Sequence, residues 1–411
     1  MGIFYRVPIT GVAWDRREFR EVIGSLFVRP GEYAAHELTA CIEQHYAGQA
    51  VLVNSGRSAL ELALHRLRQR TQKHQATVLT PSLICRAVPD KIVAAGLTPV
   101  FYDLSNDLSP SIESLNDAIR PDTIAVVFAY LYGKVVPVEN VAMICKNAGI
   151  ALIEDCAATF LLPDGQGHLS GTSGDYVIFS FQRGKTTVAG GGGALVDRTG
   201  MRDPYDVGNW TPRELRKLYF SKVTFMLEEV FLRTGYIVQR TIGLPADFGR
   251  STMGQVRTMS PLDCSLVSIQ MKKWPSIFDA KTRVLQRYKS NLAGCPHLQL
   301  PQLMKGGFAN RIFVRFCRPI ASRTAPYEWT SFVADYMRKQ GIEVHVPYFP
   351  VHRMPEFVQY SSHKLPVTDE AYESLLEIPS QPSLRDDEVD YVSEALLNAS
   401  ELARGRASHA V

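Results

Sequence analysis

GTSGDYVIFSFQRGKTTVAGGGGALVD (171–197) holds two short apolar runs on either side of a polar, glycine-rich loop. DYVIFSF (175–181), rich in aromatic and β-branched residues, and GGALVD (192–197), with its short apolar run, are too short for helices, so both read as strands. Lys185 stands in the loop between them, with Gly184 before it and the glycines 190–193 after it. A lysine in such a loop can form a Schiff base with an aldehyde cofactor if its amine is desolvated enough to lose its proton. Taken alone, it reads better as a surface lysine beside a flexible loop.

The same pattern extends upstream. VLVN (51–54), ATVLTP (76–81), the end of KIVAAGLTPVFYDL (91–104), TIAVVFAYLYG (123–133) and IALIEDC (150–156) alternate with stretches of helical spacing, such as Leu60, Leu62, Leu64 and Leu67. Val-, Ile- and Leu-rich strands separated by helices predict βα units and a mostly parallel sheet of seven strands, covered on both faces. Ligands of such sheets lie beyond the carboxyl ends of the strands. Asn54-Ser55-Gly56, Pro81-Ser82, Asp155-Cys156 and Ser180 fall at those ends.

Two of these ends carry chemistry. IALIEDC closes a buried strand with Glu154 and Asp155, and a carboxylate there is costly without a cationic partner. The protonated ring nitrogen of pyridoxal phosphate is such a partner; a helix N-cap or a salt bridge to a core arginine is the plain alternative. Ser55-Gly56-Arg57-Ser58 opens a helix after a strand. Free N–H groups at a helix start attract phosphate, and Arg57 adds a guanidinium; the plain alternative is an ordinary cap.

The chain has 411 residues, 45% hydrophobic and 21% charged, with a net charge of +4. That is a soluble globular composition sized for two or three domains, and its mild, evenly spread charge gives no argument for nucleic acid. No apolar run reaches the length of a membrane span, and the N-terminus lacks a secretion signal. Seven widely spaced cysteines without a Cys-x-x-Cys pair predict reduced thiols in a cytoplasm and no zinc site, and the histidines have no metal spacing.

Residues 203–256 interrupt the α/β pattern. Thr211-Pro212-Arg213-Glu214 predicts a helix start with a capping box. The stretch after it repeats Leu215, Leu218, Tyr219, Val223, Met226, Leu227 and Val230 at helical spacing, with Lys222 breaking the stripe. Packing against the large domain or a dimer partner is the expected use. The sharper reading has the aromatic and basic stretch 211–242 lie on a membrane surface. From about 300 a smaller α/β unit follows: strand NRIFVRFCRP, helix WTSFVADYMRKQG, the Pro-broken IEVHVPYFP, and the closing helix RDDEVDYVSEALLNA.

Over nearly its whole length the sequence resembles the DegT/DnrJ-type sugar aminotransferases, a family of fold-type-I pyridoxal phosphate enzymes. VNSGRSALELAL, TPSLICRAVPDKIVAAGLTPVFYDL, LYG, EDCA, GTSGDYVIFSF with Lys185, GGGGALVD, QGIEVHVPYFPVH and LLEIPSQPSLRDDEVDYVSEALL follow in the family's order. The resemblance implies an aspartate-aminotransferase-like large domain with a mostly parallel seven-stranded sheet and a smaller C-terminal α/β domain. The boundaries expected are an N-terminal segment 1–39 packing on the small domain or a dimer partner, a cofactor domain 40–202, the apolar helical insert 203–256, and an interdomain helix with the small domain, 257–411.

By the same resemblance, Lys185 would hold the cofactor and shuttle protons, Asp155 would pair with the ring nitrogen, and Gly56, Ser58 and Ser180 would contact the phosphate. Cys85 falls where the family has an aromatic stacked on the ring, Ala158 where it often has Gln or His, Arg57 where it usually has Thr, and Thr186 where it often has Asn. Val256-Arg257-Thr258-Met259-Ser260 falls where an Asn-x-Arg-Met segment reaches the neighbouring subunit's phosphate. Tyr348 and His352 lie in the segment that lines the substrate site. The expected reaction moves an amino group from glutamate or glutamine to a keto-sugar, within a homodimer. Other pyridoxal phosphate chemistry (dehydration, or transamination of a non-sugar ketone) and a non-catalytic regulatory role are the alternatives.

Overall fold

The structure is a computed structural model, and it describes residues 5–28, 31, 33–73, 75–163, 167–200, 207–230, 255–300, 303, 309–317, 326–361 and 364–409. The large sheet contains β1 (Gln49–Val53), β2 (Thr77–Pro81), β3 (Thr98–Tyr102), β4 (Thr123–Ala129), β5 (Ala151–Asp155), β6 (Tyr176–Ser180) and β7 (Gly193–Asp197). Their spatial order is β1-β7-β6-β5-β4-β2-β3. The contiguous block from β6 to β3 is parallel, and β7 runs antiparallel to both β6 and β1.

Alternate residues of each strand feed different apolar layers. Val126, Phe128, Val177 and Phe179 join one cluster, while Ala125, Val127, Tyr176 and Ile178 join the other. Burial on both faces is why these strands read as unbroken apolar runs. Around the sheet lie α1 (Arg16–Gly24), α2 (Tyr33–Tyr46), α3 (Gly56–Arg70), α4 (Ala87–Ala94), α5 (Ile112–Ala118), α6 (Glu139–Ala148), α7 (Pro212–Val230) and α8 (Pro261–Lys272). α3 and α4 cover the layer of Ile178, and α2, α6 and α8 cover the layer of Phe179.

The C-terminal unit has its own core. α9 (Trp274–Asn291), α10 (Pro326–Lys339), α11 (Pro366–Ser374) and α12 (Asp386–His409) accompany an antiparallel sheet of β8 (Leu298–Gln299), β9 (Ile312–Phe316) and β10 (Leu375–Ile378), in the order β10-β9-β8. Val284, Val314, Val333, Leu376, Val392 and Leu396 are buried together there. The N-terminal stretch serves both units. Arg6 and Val7 donate to Gly341 O, and Gln381 donates to Pro8 O, whereas α1 and α2 pack on α8.

One strand is shorter than its sequence suggests. TIAVVFAYLYG reads as extended throughout, but β4 stops at Ala129 and Leu131–Gly133 forms a tight turn. Tyr132 has φ +59° and Gly133 φ +74°. A Cβ on Gly133 would come within 2.4 Å of Asn310 Cβ and 2.6 Å of Ala158 O, so the turn is where the small domain docks against the large one. Apolar content marked this run as buried but could not mark where it bends.

The start predicted for α7 forms as a reciprocal cap. Glu214 N–H donates to Thr211 Oγ1 (3.3 Å), while Thr211 N–H and Oγ1–H donate to Glu214 Oε2 (2.9 and 2.7 Å). Tyr219 and Met226 are buried in the large-domain core, with Leu215, Leu218, Val223 and Leu227 packed against it. The apolar stripe of 212–230 is therefore spent on packing, while Phe220, Arg213, Arg216 and Lys217 stay exposed. Residues 231–242, the rest of the stretch read as a membrane-surface segment, lie outside the described residues. Among the described residues no helix is long and apolar enough to cross a membrane.

Candidate active site

β5 places two acids on opposite faces of the sheet, because successive side chains of a strand point opposite ways. Glu154 is fully buried and saturated with donors: Tyr130 Oη–H (2.6 Å), Gly171 N–H (3.0 Å), Ser173 N–H (2.7 Å) and Gly174 N–H (2.5 Å). It ties the GTSG turn to the sheet. Asp155 has a single described donor, the N–H of Ala157 at 3.0 Å. Burial pushes its carboxyl above the usual range, with the Lys185 amine and the Ala157 bond pulling it back.

Lys185 lies opposite. The loop between β6 and β7 closes on itself, since Ala189 and Gly190 N–H both donate to Phe181 O and Phe181 N–H donates to Gly192 O. Burial lowers the Lys185 amine below its ordinary range; Asp155 and Cys85 oppose the shift, and Arg311 adds to it. Among the described ion pairs none joins Lys185 to Asp155. An amine pushed down and a carboxyl pushed up, interacting without a salt bridge, are two groups whose charges are not matched by each other.

The third element is a cup of backbone and hydroxyls. Ser55 caps α3: its Oγ accepts from Ser58 N–H (3.1 Å) and lies 2.9 Å from Ser58 Oγ. Gly56 is pressed against β6, where a Cβ would sit 2.8 Å from Ser180 Cβ. Gly193 is tighter still, since its Cβ would come within 2.4 Å of Ser55 C and 2.5 Å of Gly56 N. The two glycines let β6, β7 and the start of α3 converge, so Gly56, Ser58 and Ser180 meet at one helix N-terminus. Donor N–H groups with two hydroxyls form a phosphate-binding arrangement.

These residues fit pyridoxal phosphate on three counts: a cup for its phosphate, a partly buried carboxylate short of donors for its ring nitrogen, and a desolvated amine for its aldehyde. The other sequence candidates have distinct surroundings. Arg57 is half-buried at the second position of α3. Cys85 is exposed, close enough to act electrostatically on both Lys185 and Tyr348. Ala158 packs its carbonyl on Gly133, and Thr186 Oγ1–H is spent on Phe160 O at 3.2 Å. Tyr348 stacks on Tyr132 at 5.9 Å between ring centroids, and burial raises its phenol. His352 is clamped, with Nδ1 2.7 Å from Ser82 Oγ and Nε2 3.5 Å from Asp369 Oδ1, so it joins the β2 loop to α11. The segment 256–259 runs along β1, and Met259 packs on Gly192.

Several residues went unnoticed in the sequence. A cavity at Lys185 is lined by residues 9–13 and by Gln270, Lys281, Asn310, Arg311 and Glu377, and not by Asp155 or the cup. Arg311 forms a two-pronged pair with the almost fully buried Glu377. Asn310 Nδ2–H donates to Gly184 O (2.9 Å), which holds the residue before Lys185. Lys281 Nζ–H donates to Asn310 O (2.8 Å) and Ser380 O (3.3 Å). All of these come from the small domain, α8 or the N-terminal stretch, far in sequence from the lysine loop. The LYG turn, quoted only as a family segment, was the one local signal, because it seats Tyr132 under Tyr348.

Residues 13–206 and 224–397 match the model of the DegT/DnrJ/EryC1/StrS aminotransferase family. The dTDP-4-dehydro-2,3,6-trideoxy-D-glucose 4-aminotransferase of Saccharopolyspora spinosa is 28% identical over 86% of this chain and 85% of its own. The GDP-perosamine synthase of Escherichia coli O157:H7 is 26% identical over 95% of this chain and 96% of its own. Among solved structures, Spr1654 of Streptococcus pneumoniae in its PLP-form superposes with a TM-score of 0.75 at 20% identity, covering 97% of this chain and 100% of that one.

Proposed function

The chain belongs to the DegT/DnrJ/EryC1/StrS aminotransferase family, and on that premise we propose that it moves an amino group from glutamate or glutamine to the keto carbon of a nucleotide-linked sugar. The observation that carries the reading is the opposition of Lys185 and Asp155 beside the cup of Gly56, Ser58 and Ser180. When bound, pyridoxal phosphate supplies an aldehyde that takes up the amino group and a protonated ring that withdraws electrons from the carbon being deprotonated.

The chain's own residues supply the rest. Ser58, Ser180 and the N–H groups at the start of α3 hold the phosphate, with Arg57 at the same helix start. Asp155, ionised once a cation faces it, keeps the proton on the ring nitrogen; its partly buried setting strengthens that pairing. Lys185 Nζ, held below its ordinary pKa, accepts a proton from the amino donor's carbon and delivers one to the acceptor's carbon, a task that needs an amine neutral near working pH. Cys85 and Ala158 give the ring smaller neighbours than the family's usual residues, which opens space on that side. Tyr348, supported from below by Tyr132, stands at the mouth where a sugar would enter.

The relatives named above are a sugar aminotransferase and a perosamine synthase, which supports a sugar as the acceptor. A homodimer and a reducing compartment belong to the same reading; all seven cysteines are free thiols in the structure. The test is spectroscopic and isotopic. Protein reconstituted with pyridoxal phosphate should show the visible band of the lysine-bound cofactor, lose it on adding glutamate, and then pass labelled nitrogen to a 4-keto nucleotide sugar. A band that glutamate or glutamine leaves unchanged would overturn the assignment.

A further inference from the structure

α7, the helix of the insert, meets the lysine loop from behind at both ends. Upstream, the guanidinium of Arg183, two residues before Lys185, lies 2.7 Å from Glu228 Oε2 and 3.0 Å from Glu229 Oε1. It also sits 4.5 Å above the ring of Phe225. Downstream, Lys222 Nζ–H donates to Ala189 O (3.0 Å) and pairs with Asp263 Oδ1 of α8 at 2.5 Å. A Cβ on Gly191 would come within 2.8 Å of Lys222 Nζ, so the loop's glycines lie directly on this ion pair.

Between these two points the N-terminal stretch is drawn in. Trp14 packs on Phe225 at 5.0 Å between centroids and donates Nε1–H to Val188 O (2.8 Å), and Val12 N–H donates to Glu229 Oε2 (3.2 Å). Residues 182–190 are thus held at Arg183, Val188 and Ala189 by groups belonging to α7 or resting on it. No residue of α7 is among those lining the cavity at Lys185.

A buried ion pair is a weak source of net stability, because desolvation offsets most of the attraction, but it is strongly directional. The buried Lys222–Asp263 pair and the half-exposed pairs of Arg183, one on either side of Lys185, do little that apolar packing could not do for stability. They do fix how deep the loop sits. We propose that α7 is a brace that positions the reactive amine, with Lys222 and Arg183 as positioning residues that set the depth of Lys185 between Asp155, Arg311 and Cys85. The inference rests on the reading of Lys185 as the reactive amine.

The test loosens each tie in turn. Lys222→Met/Asp263→Asn keeps the volume and deletes both charges, and Glu228→Gln/Glu229→Gln releases Arg183 separately. In cofactor-free protein, labelling of Lys185 by trinitrobenzenesulfonate is followed against pH by peptide mapping. The midpoint should rise by about half a pH unit or more in either variant, as the loosened amine regains water. In loaded enzyme, kcat should fall by about 10- to 100-fold, the cost of a misplaced group, with KM for glutamate nearly unchanged. Phe220→Ser, on the exposed side of the same helix, should match wild type in both readouts.

If the first variant does not fold, the Glu228/Glu229 variant carries the test by the same criterion. A folded variant whose Lys185 midpoint equals that of wild type overturns the brace. A shifted midpoint in a protein that never transaminates keeps the brace and removes only the proposed function, so the two failures are distinguishable.

Discussion

Lys185 stands in the glycine-rich loop and Lys222 lies against it, and each interacts with an aspartate in an opposite way. Lys222 touches Asp263 at 2.5 Å and donates a hydrogen bond to Ala189 O, so its charge is matched within the chain. Lys185 and Asp155 interact without a salt bridge, and each is pushed by burial toward its neutral form. The difference sets a closed ion pair apart from two groups that interact without one. Charges closed up on one another hold parts together, whereas groups at the carboxyl ends of parallel strands lie where such sheets take their ligands.

The comparison breaks first at Lys185. Lys185→Ala should cost about 10³-fold or more in kcat/KM, as expected for loss of the proton-transferring group. Its thermal midpoint without cofactor should stay level or rise, because a desolvated amine has been removed. Retained turnover would put Lys185 in the same class as Lys222. The converse substitution, Lys222→Met, leaves Asp263 buried and unmatched, and unfolding in urea should show a loss of about 3–5 kcal/mol. A negligible loss would show that the close pair is not what holds α7.

Asp155→Asn comes next. Turnover should drop about 10²-fold, the scale of one misplaced electrostatic partner in a site, while the melting temperature stays at or above that of wild type. A collapse in stability with normal turnover per folded molecule would make Asp155 a structural acid like Glu154.

The gentlest test uses pH. Burial pushes Lys281 down to about 7 from 10.5, with Glu377 opposing and Arg311 assisting. Between those two values the unfolded chain binds more protons at this position than the folded one. Stability of cofactor-free protein should therefore rise with pH from about 7 toward 10.5. Lys281→Met should flatten that rise. Equal slopes in both proteins would mean that Lys281 keeps its charge on the carbonyls of Asn310 and Ser380.

Much of this was legible locally. Strands buried on both faces announce themselves as continuous apolar runs, and their ends located Ser55-Gly56, Asp155 and Ser180 before any coordinate was known. The capping box at Thr211 and Glu214 placed the start of α7 because caps are written within four residues. The end of β4 was not legible, since the bend at Tyr132 and Gly133 answers to Asn310, far along the chain. Lys222 read as a break in an apolar stripe, because its partner Asp263 and the glycines it rests on lie on other elements.

The chain order alone determined that Glu154 and Asp155 face opposite sides of one strand, since side chains on a strand alternate whatever surrounds them. Which of the two would be silenced was decided only when Tyr130 and the turn at 171–174 closed over Glu154 and left its neighbour short of donors. Alternation is a property of the local backbone. Solvation and charge at a buried atom are properties of everything folded around it, and those neighbours are drawn from distant stretches that no short window of sequence contains.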